Sequence, residues 1–431
     1  TGPGPGWRQA WQVDGRWFDR RRGHFYITDR SVINVGCTAL PVSAKRPFIV
    51  AGGGVIYSSA ADALRSFVEA TGIPVGMSQA GVGSLNWDHP QNMGAVGATG
   101  TTAANRLAAE ADLIIGIGTR YSDFTAASRT AFQNPDVKFI NINVASFDAF
   151  KHGSALPVVA DARESLVELS SVISGFHISA DYAAEAARQK EIWDFEVDKA
   201  FVDRGLVLPS QTEIIGAVQE ASDPRDVVVC AAGSLPGDLH KLWRVRDDLG
   251  YHVEYAFSCM GYEIAGGMGI KLAEPERDVI VMVGDGSYMM MNSELATAVG
   301  MGVKITLVIT DNRGYGCINR LQKHTGGAPF NNLLDDAYHV NPSAIDFVAH
   351  AASMGARAAK AGSIADLEAK ITALRTGTIP AVIVIDTDPW PSTEAGGTWW
   401  DVAVPAVSTR AEVNEARKGY EEATKRQRLV N

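Results

Sequence analysis

The sequence predicts an α/β protein made of two doubly wound parallel-sheet domains. Three observations carry that expectation. Short, wholly apolar runs such as Leu113–Ile117 and Val279–Val283 recur along the chain, as strands buried on both faces require. Several of them run straight into glycine turns, as at Ala51–Gly54 and Gly284–Ser287. Segments with helical spacing separate them, which is the pattern of a parallel sheet with crossover helices.

Residues 1–45 read as an atypical leader or linker. Six arginines precede the first lysine, Lys45, and Trp7, Trp11 and Trp17 sit among glycines with no steady period of 2 or 3.6. Residues 46–170 form the first α/β domain. Its strands are Phe48–Val50, Ile73–Val75, Leu113–Ile117 and Lys138–Val144, and its helices are Ser58–Ala70 and Thr102–Glu110. The first helix is carried by Ala61, Leu64, Phe67 and Val68. Residues 171–208 are more polar and read as a helical connector built on Tyr182–Val202. Residues 209–390 form the second domain. Its strands are Val227–Cys230, Val279–Val283, Ile305–Thr310 and Ala381–Asp386, with helices Tyr262–Leu272, Ser293–Val299, Ser343–Ser353 and Ile364–Leu374. Asn292 and Ser293 are placed to cap the helix at 293. Residues 391–431 are a C-terminal tail.

The 431 residues exceed what one hydrophobic core of about 250–300 residues holds. The net charge is −10 and no basic stripe is present, which argues against a nucleic-acid partner. Cys37, Cys230, Cys259 and Cys317 fit no zinc or disulfide spacing and read as buried free thiols in a reducing compartment. No apolar run reaches the ~18–20 residues of a membrane span, and no signal peptide is visible. The expectation is a cytoplasmic protein acting on a small molecule, with no membrane partner.

The chemistry concentrates in two turns. Gly284–Asp285–Gly286–Ser287 ends one strand, and Asp311–Asn312–Arg313–Gly314–Tyr315–Gly316 ends the next. Neighbouring parallel strands present such turns together at their carboxyl ends, where open α/β sheets bind ligands. Asp285 offers an anionic oxygen, Asn312 a neutral one, and Gly314 lets a main-chain carbonyl turn toward a cation. Mg²⁺ takes oxygen ligands and fills its remaining positions with substrate phosphates, and glycines let N–H groups approach a diphosphate. A lone G-D-G is a common turn; its pairing with D-N-x-G-Y one β-α-β unit later is what raises it to a candidate site.

That pair of motifs resembles the metal–diphosphate motif of thiamine diphosphate enzymes. The resemblance implies Asp285, Asn312 and the Gly314 carbonyl as Mg²⁺ ligands. Longer strings resemble the trihydroxycyclohexane-1,2-dione hydrolases of inositol catabolism: Ala231–Trp243, Cys259–Gly269, Gly284–Ala296, Asp311–Gln322, Ala328–Asn332 and Thr398–Val402. The resemblance covers about Arg46 to Val407. It implies that Met260 supports a bent thiamine diphosphate under its thiazolium ring. It also implies that Gly233, Ser234, Gly261, Gly284, Gly286, Ser287 and Tyr315 line the cofactor site. His240, Asn319, Arg320 and His324 are candidate contacts to a polyhydroxylated ring.

In such enzymes a pyrimidine-binding domain comes first and carries the glutamate that activates the cofactor. The layer beginning at Pro47 already resembles the middle domain, so the expectation is that this glutamate is absent here and that the chain alone is inactive unless a partner chain provides that domain. The implied partner is a second copy, in a homo-oligomer of two or more, or a chain carrying the pyrimidine-binding domain. The middle domain resembles one that holds FAD in some acetolactate synthases, but Ala51–Gly54 reads as structural. The implied reaction is C–C hydrolysis of a cyclic 1,2-diketone to 5-deoxy-glucuronate. The alternatives are an acetolactate synthase-like lyase or synthase, and a non-catalytic α/β scaffold.

Overall fold

The structure, a computed structural model, describes residues 43–341, 344–391, 393 and 395–428, and the backbone of 10–13, 16–19 and 24–27. Strands β1 (Ala10–Val13), β2 (Arg16–Asp19) and β3 (His24–Ile27) pair as an antiparallel meander. The sequence shows no period there. Four-residue strands are too short to display one, although the aromatic content of the segment favours strand. How this leader packs, and Cys37, lie outside the described residues.

The chain divides into two compact units. One comprises Thr1–Trp193, Gly396–Trp400 and Gln427–Asn431; the other comprises Asp194–Ala395 and Asp401–Arg426. The division falls inside the long helix Ala180–Phe201.

The first unit holds β4 (Pro47–Ala51), β5 (Val75–Met77), β6 (Asn92–Ala95), β7 (Leu113–Ile117), β8 (Lys138–Asn143) and β9 (Leu156–Val159). They form one parallel sheet in the order β6-β5-β4-β7-β8-β9. Strand β5 begins at Val75 rather than Ile73, because Pro74 has no N–H to give a ladder and offers only its carbonyl, to Ile49 N. The expected helix over 58–70 starts later, as Ala61–Thr71, and a separate short helix, Gly53–Tyr57, precedes it. The chain breaks between them at Ser59, whose φ is +53°. The second helix buries Leu64, Phe67 and Val68 against Ile49, Ile115 and Ile140 of the sheet. Thr101 caps helix Thr102–Glu110 by accepting Ala104 N–H.

The glycine turn after β4 is used up by packing. Gly52 N donates to Ile117 O at 2.8 Å and Gly54 N to Gly118 O at 3.0 Å. A Cβ on Gly52 would stand 2.4 Å from Gly118 O. These glycines let two loops of one sheet edge touch backbone to backbone.

The second unit holds β10 (Val227–Cys230), β11 (Tyr251–Val253), β12 (Val279–Gly284), β13 (Thr306–Asp311), β14 (Arg357–Ala361) and β15 (Ala381–Asp386). They form a parallel sheet in the order β11-β10-β12-β13-β15-β14. Two doubly wound α/β layers are therefore present, as the sequence predicts. Val281, Val283, Leu307 and Val384 pack with Ile264, Leu295 and Phe347 in the core. The expected helix from Ser343 is Phe347–Ser353, capped by Asp346; Ser343 itself lies outside the described residues.

Two local expectations are corrected by the fold. The chain stays helical through Asn292 (φ −61°, ψ −22°), and no side-chain cap bond forms there. Its amide donates instead to Met289 O at 3.1 Å; a cap needs the extended backbone that this residue lacks. The cysteines are not all buried: Cys230 is buried, Cys317 is half-buried and Cys259 is exposed. The Glu254 carboxylate accepts the N–H groups of Ala256, Phe257 and Cys259 and so turns that loop outward. No helix among the described residues is long and apolar enough to cross a membrane.

Candidate cofactor and metal site

The strand order of the second unit reverses between β10 and β12. A crevice opens at such a point, at the carboxyl ends of the strands. The turns after β10, β12 and β13 meet there.

Asp285 follows Gly284, the last residue of β12, and opens the short helix Asp285–Met291. The sequence suggests an open turn at Gly284–Ser287; instead, strand passes to helix with no loop between. Asp285 Oδ2 accepts Gly314 N–H at 2.8 Å, and the N–H groups of Asn312 and Gly286 lie close enough to ease its charge. Burial and the nearby Asp311 charge outweigh these donors and push its pKa up to about 7. A carboxylate held this way is short of positive charge.

Gly314 has φ +143°, and a Cβ there would lie 2.5 Å from Asn332 O. Tyr315 N donates to the same Asn332 carbonyl at 2.7 Å, so residues 332–333 brace the turn. One terminal atom of the Asn312 amide lies 2.8 Å from the Gly314 carbonyl oxygen and 3.3 Å from Asp285 Oδ1. Placed as NH₂, it donates to both. Placed as oxygen, it completes a trio of oxygens drawn from a carboxylate, an amide and a main-chain carbonyl. Octahedral ligands about 2.0–2.1 Å from Mg²⁺ stand about 2.9 Å apart, close to the spacings found. Protein alone favours the NH₂ placement; a hard cation would favour the oxygen placement. The donor set therefore fits Mg²⁺. Among the described residues no three His, Cys, Asp or Glu side chains gather as a metal site, which leaves this mixed oxygen set as the candidate.

Of the expected cofactor-lining residues, Gly286 and Tyr315 adjoin the trio and Gly261 meets Ser287, while Gly233, Ser234 and Met260 have no shown contact with it. The Tyr315 ring covers Gly286, where a Cβ would meet its Cε1 at 2.7 Å. Gly261 is left-handed at φ +90°, with Met290 and Met291 packed on it, and half-buried Met260 precedes it. Gly233 is left-handed at φ +93°, with open space where a Cβ would stand. Ser234 Oγ donates to Gln211 Oε1 at 3.1 Å, and Gln211 Nε2 to Asp238 Oδ2 at 2.6 Å.

Two of the expected contacts are engaged inside the chain. Ser287 Oγ donates to Glu263 Oε1 at 2.7 Å, and Gly261 N–H points to Glu263 Oε2 and Ser287 Oγ, both at 2.9 Å. Glu263 carries no motif signal, since an acidic residue in a first helical turn is ordinary. The candidate substrate contacts do not form one surface. Asn319 is 1% exposed and His240 5%, so neither is open to a solute. Arg320 donates to Pro389 O, and His324 stands exposed in the last turn of helix Gly316–His324.

Comparison with known proteins gives the family. Residues 39–169 match the thiamine pyrophosphate enzyme central domain, and residues 231–385 match the C-terminal thiamine pyrophosphate-binding domain. The chain is 40% identical to 3D-(3,5/4)-trihydroxycyclohexane-1,2-dione hydrolase 2 of Bacillus cereus, across 86% of this chain and 62% of that protein. It is 39% identical, with the same coverage, to the 3D-(3,5/4)-trihydroxycyclohexane-1,2-dione hydrolases of Bacillus anthracis and Bacillus thuringiensis (strain Al Hakam). The chain thus spans about 62% of the length of these relatives.

Proposed function

The chain belongs to the thiamine pyrophosphate enzymes, and on that premise we propose that it serves a Mg²⁺- and thiamine diphosphate-dependent hydrolase of trihydroxycyclohexane-1,2-dione. The bond cut is the C–C bond between the two carbonyl carbons. Water's hydroxyl goes to one carbon, which leaves as a carboxylate, and a proton goes to the other, which becomes an aldehyde. The product is 5-deoxy-glucuronate, and the setting is cytoplasmic inositol catabolism by a homo-oligomer.

The observation that carries the reading is the convergence of Asp285, Asn312 and the Gly314 carbonyl at the switch point of the sheet. These three would hold Mg²⁺ and, through it, the diphosphate. When bound, thiamine diphosphate supplies a carbon nucleophile and a sink for the electron pair of the broken bond. This chain's residues orient and enclose. Gly314 and the Asn332 carbonyl fix the turn that aims the ligand oxygens. Tyr315 walls the glycine turn at Gly286. Met260 would present an apolar thioether under the cofactor rings.

Calorimetric titration tests the clamp. Thiamine diphosphate should bind only with Mg²⁺ present, and Asp285→Ala should abolish binding; unchanged affinity refutes it. A product assay tests the substrate. Once a partner carrying the pyrimidine-binding domain is supplied, ring opening of the cyclic dione without acetolactate formation from pyruvate is expected; the reverse pattern refutes the hydrolase reading, and turnover by this chain alone refutes the need for a partner.

A further inference from the structure

Glu263 sits in the first turn of helix Tyr262–Ala273, and it is 2% exposed. Its carboxylate faces three separate segments. The Ser287 hydroxyl, after β12, donates to Oε1 at 2.7 Å. The Gly261 N–H, before the helix, donates to Oε2 at 2.9 Å. The Ala232 N–H, after β10, and Glu263's own N–H lie close enough to favour its charged form. Among the described residues no lysine, arginine or histidine pairs with it. A buried carboxylate without a cation is held against its desolvation by neutral donors alone. Two hydrogen bonds do this here, with two further N–H groups close by, and they come from turns beside the candidate cofactor site.

We propose that Glu263 is the positioning residue of the cofactor cradle. Its carboxylate ties the turns at 259–261 and 284–287 into one register. Ser287 is anchored by it, and Asp285 lies two residues earlier in the same turn of helix. Fixing Ser287 therefore fixes the direction of the cation-binding carboxylate. The carboxylate also sorts the donors of the site. The Gly261 N–H and the Ser287 hydroxyl are committed to Glu263, so they shape the cradle and do not contact the diphosphate. A glutamine in this place keeps the Gly261 N–H on its oxygen only by turning its NH₂ to the Ser287 hydroxyl, which exchanges a charged acceptor for a neutral donor, and an aspartate is one methylene too short to span them. The inference rests on the cofactor reading above.

The test uses Glu263→Gln, Ser287→Ala and the double variant of the full chain, with two readouts. The first is amide hydrogen exchange without ligand. Glu263→Gln should speed exchange at 259–262 and 284–288 together by at least about tenfold, the loss expected for hydrogen bonds to a charged group. Exchange in β12 and β13 should stay unchanged. The second readout is calorimetric affinity for Mg²⁺–thiamine diphosphate. It should fall by at least about tenfold in Glu263→Gln, and the double variant should bind no more weakly than Glu263→Gln alone, because Ser287 acts through Glu263. Faster exchange confined to the turn around 262, or unchanged affinity where the parent chain binds, overturns the proposal. A parent chain that binds no cofactor overturns the cofactor reading, while the exchange pattern still decides the role of Glu263. If Glu263→Gln does not fold, Ser287→Ala decides: faster exchange at both 259–262 and 284–288 supports the shared anchor, and a change at 284–288 alone overturns it.

Discussion

Acidification should weaken cation binding in a form that one carboxylate sets. Asp285 is 6% exposed, and burial together with the Asp311 charge pushes its pKa up to about 7. Asp311 is itself pushed up by burial and by Asp386, and eased by the charges of Arg313 and Lys360. Only ionised Asp285 can ligate Mg²⁺, so protons compete with the cation. The apparent dissociation constant then scales as one plus the ratio of proton concentration to the acid constant. That factor is about 2 at pH 7, about 11 at pH 6 and about 100 at pH 5, and it flattens above about pH 8. The assay is calorimetric titration of Mg²⁺ into the chain with thiamine diphosphate, in two buffers of different ionisation enthalpy. Proton release of about 0.5 at pH 7 and about 0.9 at pH 6 is expected. Asp285→Asn keeps an oxygen without the proton and supplies the cofactor's own background. An affinity constant within about twofold between pH 6 and pH 8 refutes the reasoning. Folding obeys the same linkage. The folded pKa of about 7 lies above the unfolded value of about 3.9, so stability falls as pH rises between them. Asp285→Asn should therefore raise the melting temperature of the ligand-free chain most above pH 7 and hardly at all at pH 4.

Other perturbations follow from geometry. Gly261→Ala would force φ +90° on an L residue and set its Cβ 2.8 Å from Met291 Cγ; urea denaturation should show a loss of about 1–3 kcal/mol, and no measurable loss would refute the packing. Arg375 pairs with Asp226 at 2.6 Å, Asp223 at 2.6 Å and Asp278 at 3.3 Å. Arg375→Ala leaves buried Asp226 without its cation and should destabilise the chain by about 3–5 kcal/mol; equal stability in denaturation curves would contradict it. Ser210 and Glu213 form a reciprocal capping box on helix Gln211–Glu220, and Ser210→Ala should lower stability by about 1 kcal/mol by the same assay.

The strands legible in the sequence were the interior ones. Leu113–Ile117, Val227–Cys230 and Ala381–Asp386 appear with the bounds that their apolar runs suggest. A strand flanked on both sides and covered on both faces must be apolar throughout, and that is a loud signal. The edge strands β6, β9, β11 and β14 were not read. They are short, or carry Gly94, Pro157, His252 and Lys360, because one side needs no partner and tolerates polar or ladder-breaking residues. The oxygen trio was legible because Asp285, Asn312 and Gly314 each follow the end of an interior strand. Glu263 was not, because its partner Ser287 meets it only through the fold. The Ala51–Gly54 turn shows the opposite case: a ligand-like string whose glycines serve the approach of one loop to another.

In the proposed Mg²⁺ site the Asn312 amide serves as a placeholder. Three oxygens aimed at one point repel each other, and a cage built from them would spring apart before its ion arrives. A side-chain NH₂ placed between Gly314 O and Asp285 Oδ1 stands in for the ion with two weakly positive hydrogens. When an ion comes, a half-turn about the broad terminal torsion of one side chain exchanges hydrogen for oxygen, while the main chain keeps its place. Loading then needs one rotation where a loop would otherwise have to refold. The rotation is also a signal: the Asn312 side-chain NH₂ resonance should shift on Mg²⁺ addition while the Gly314 and Tyr315 amides keep their bonded partners.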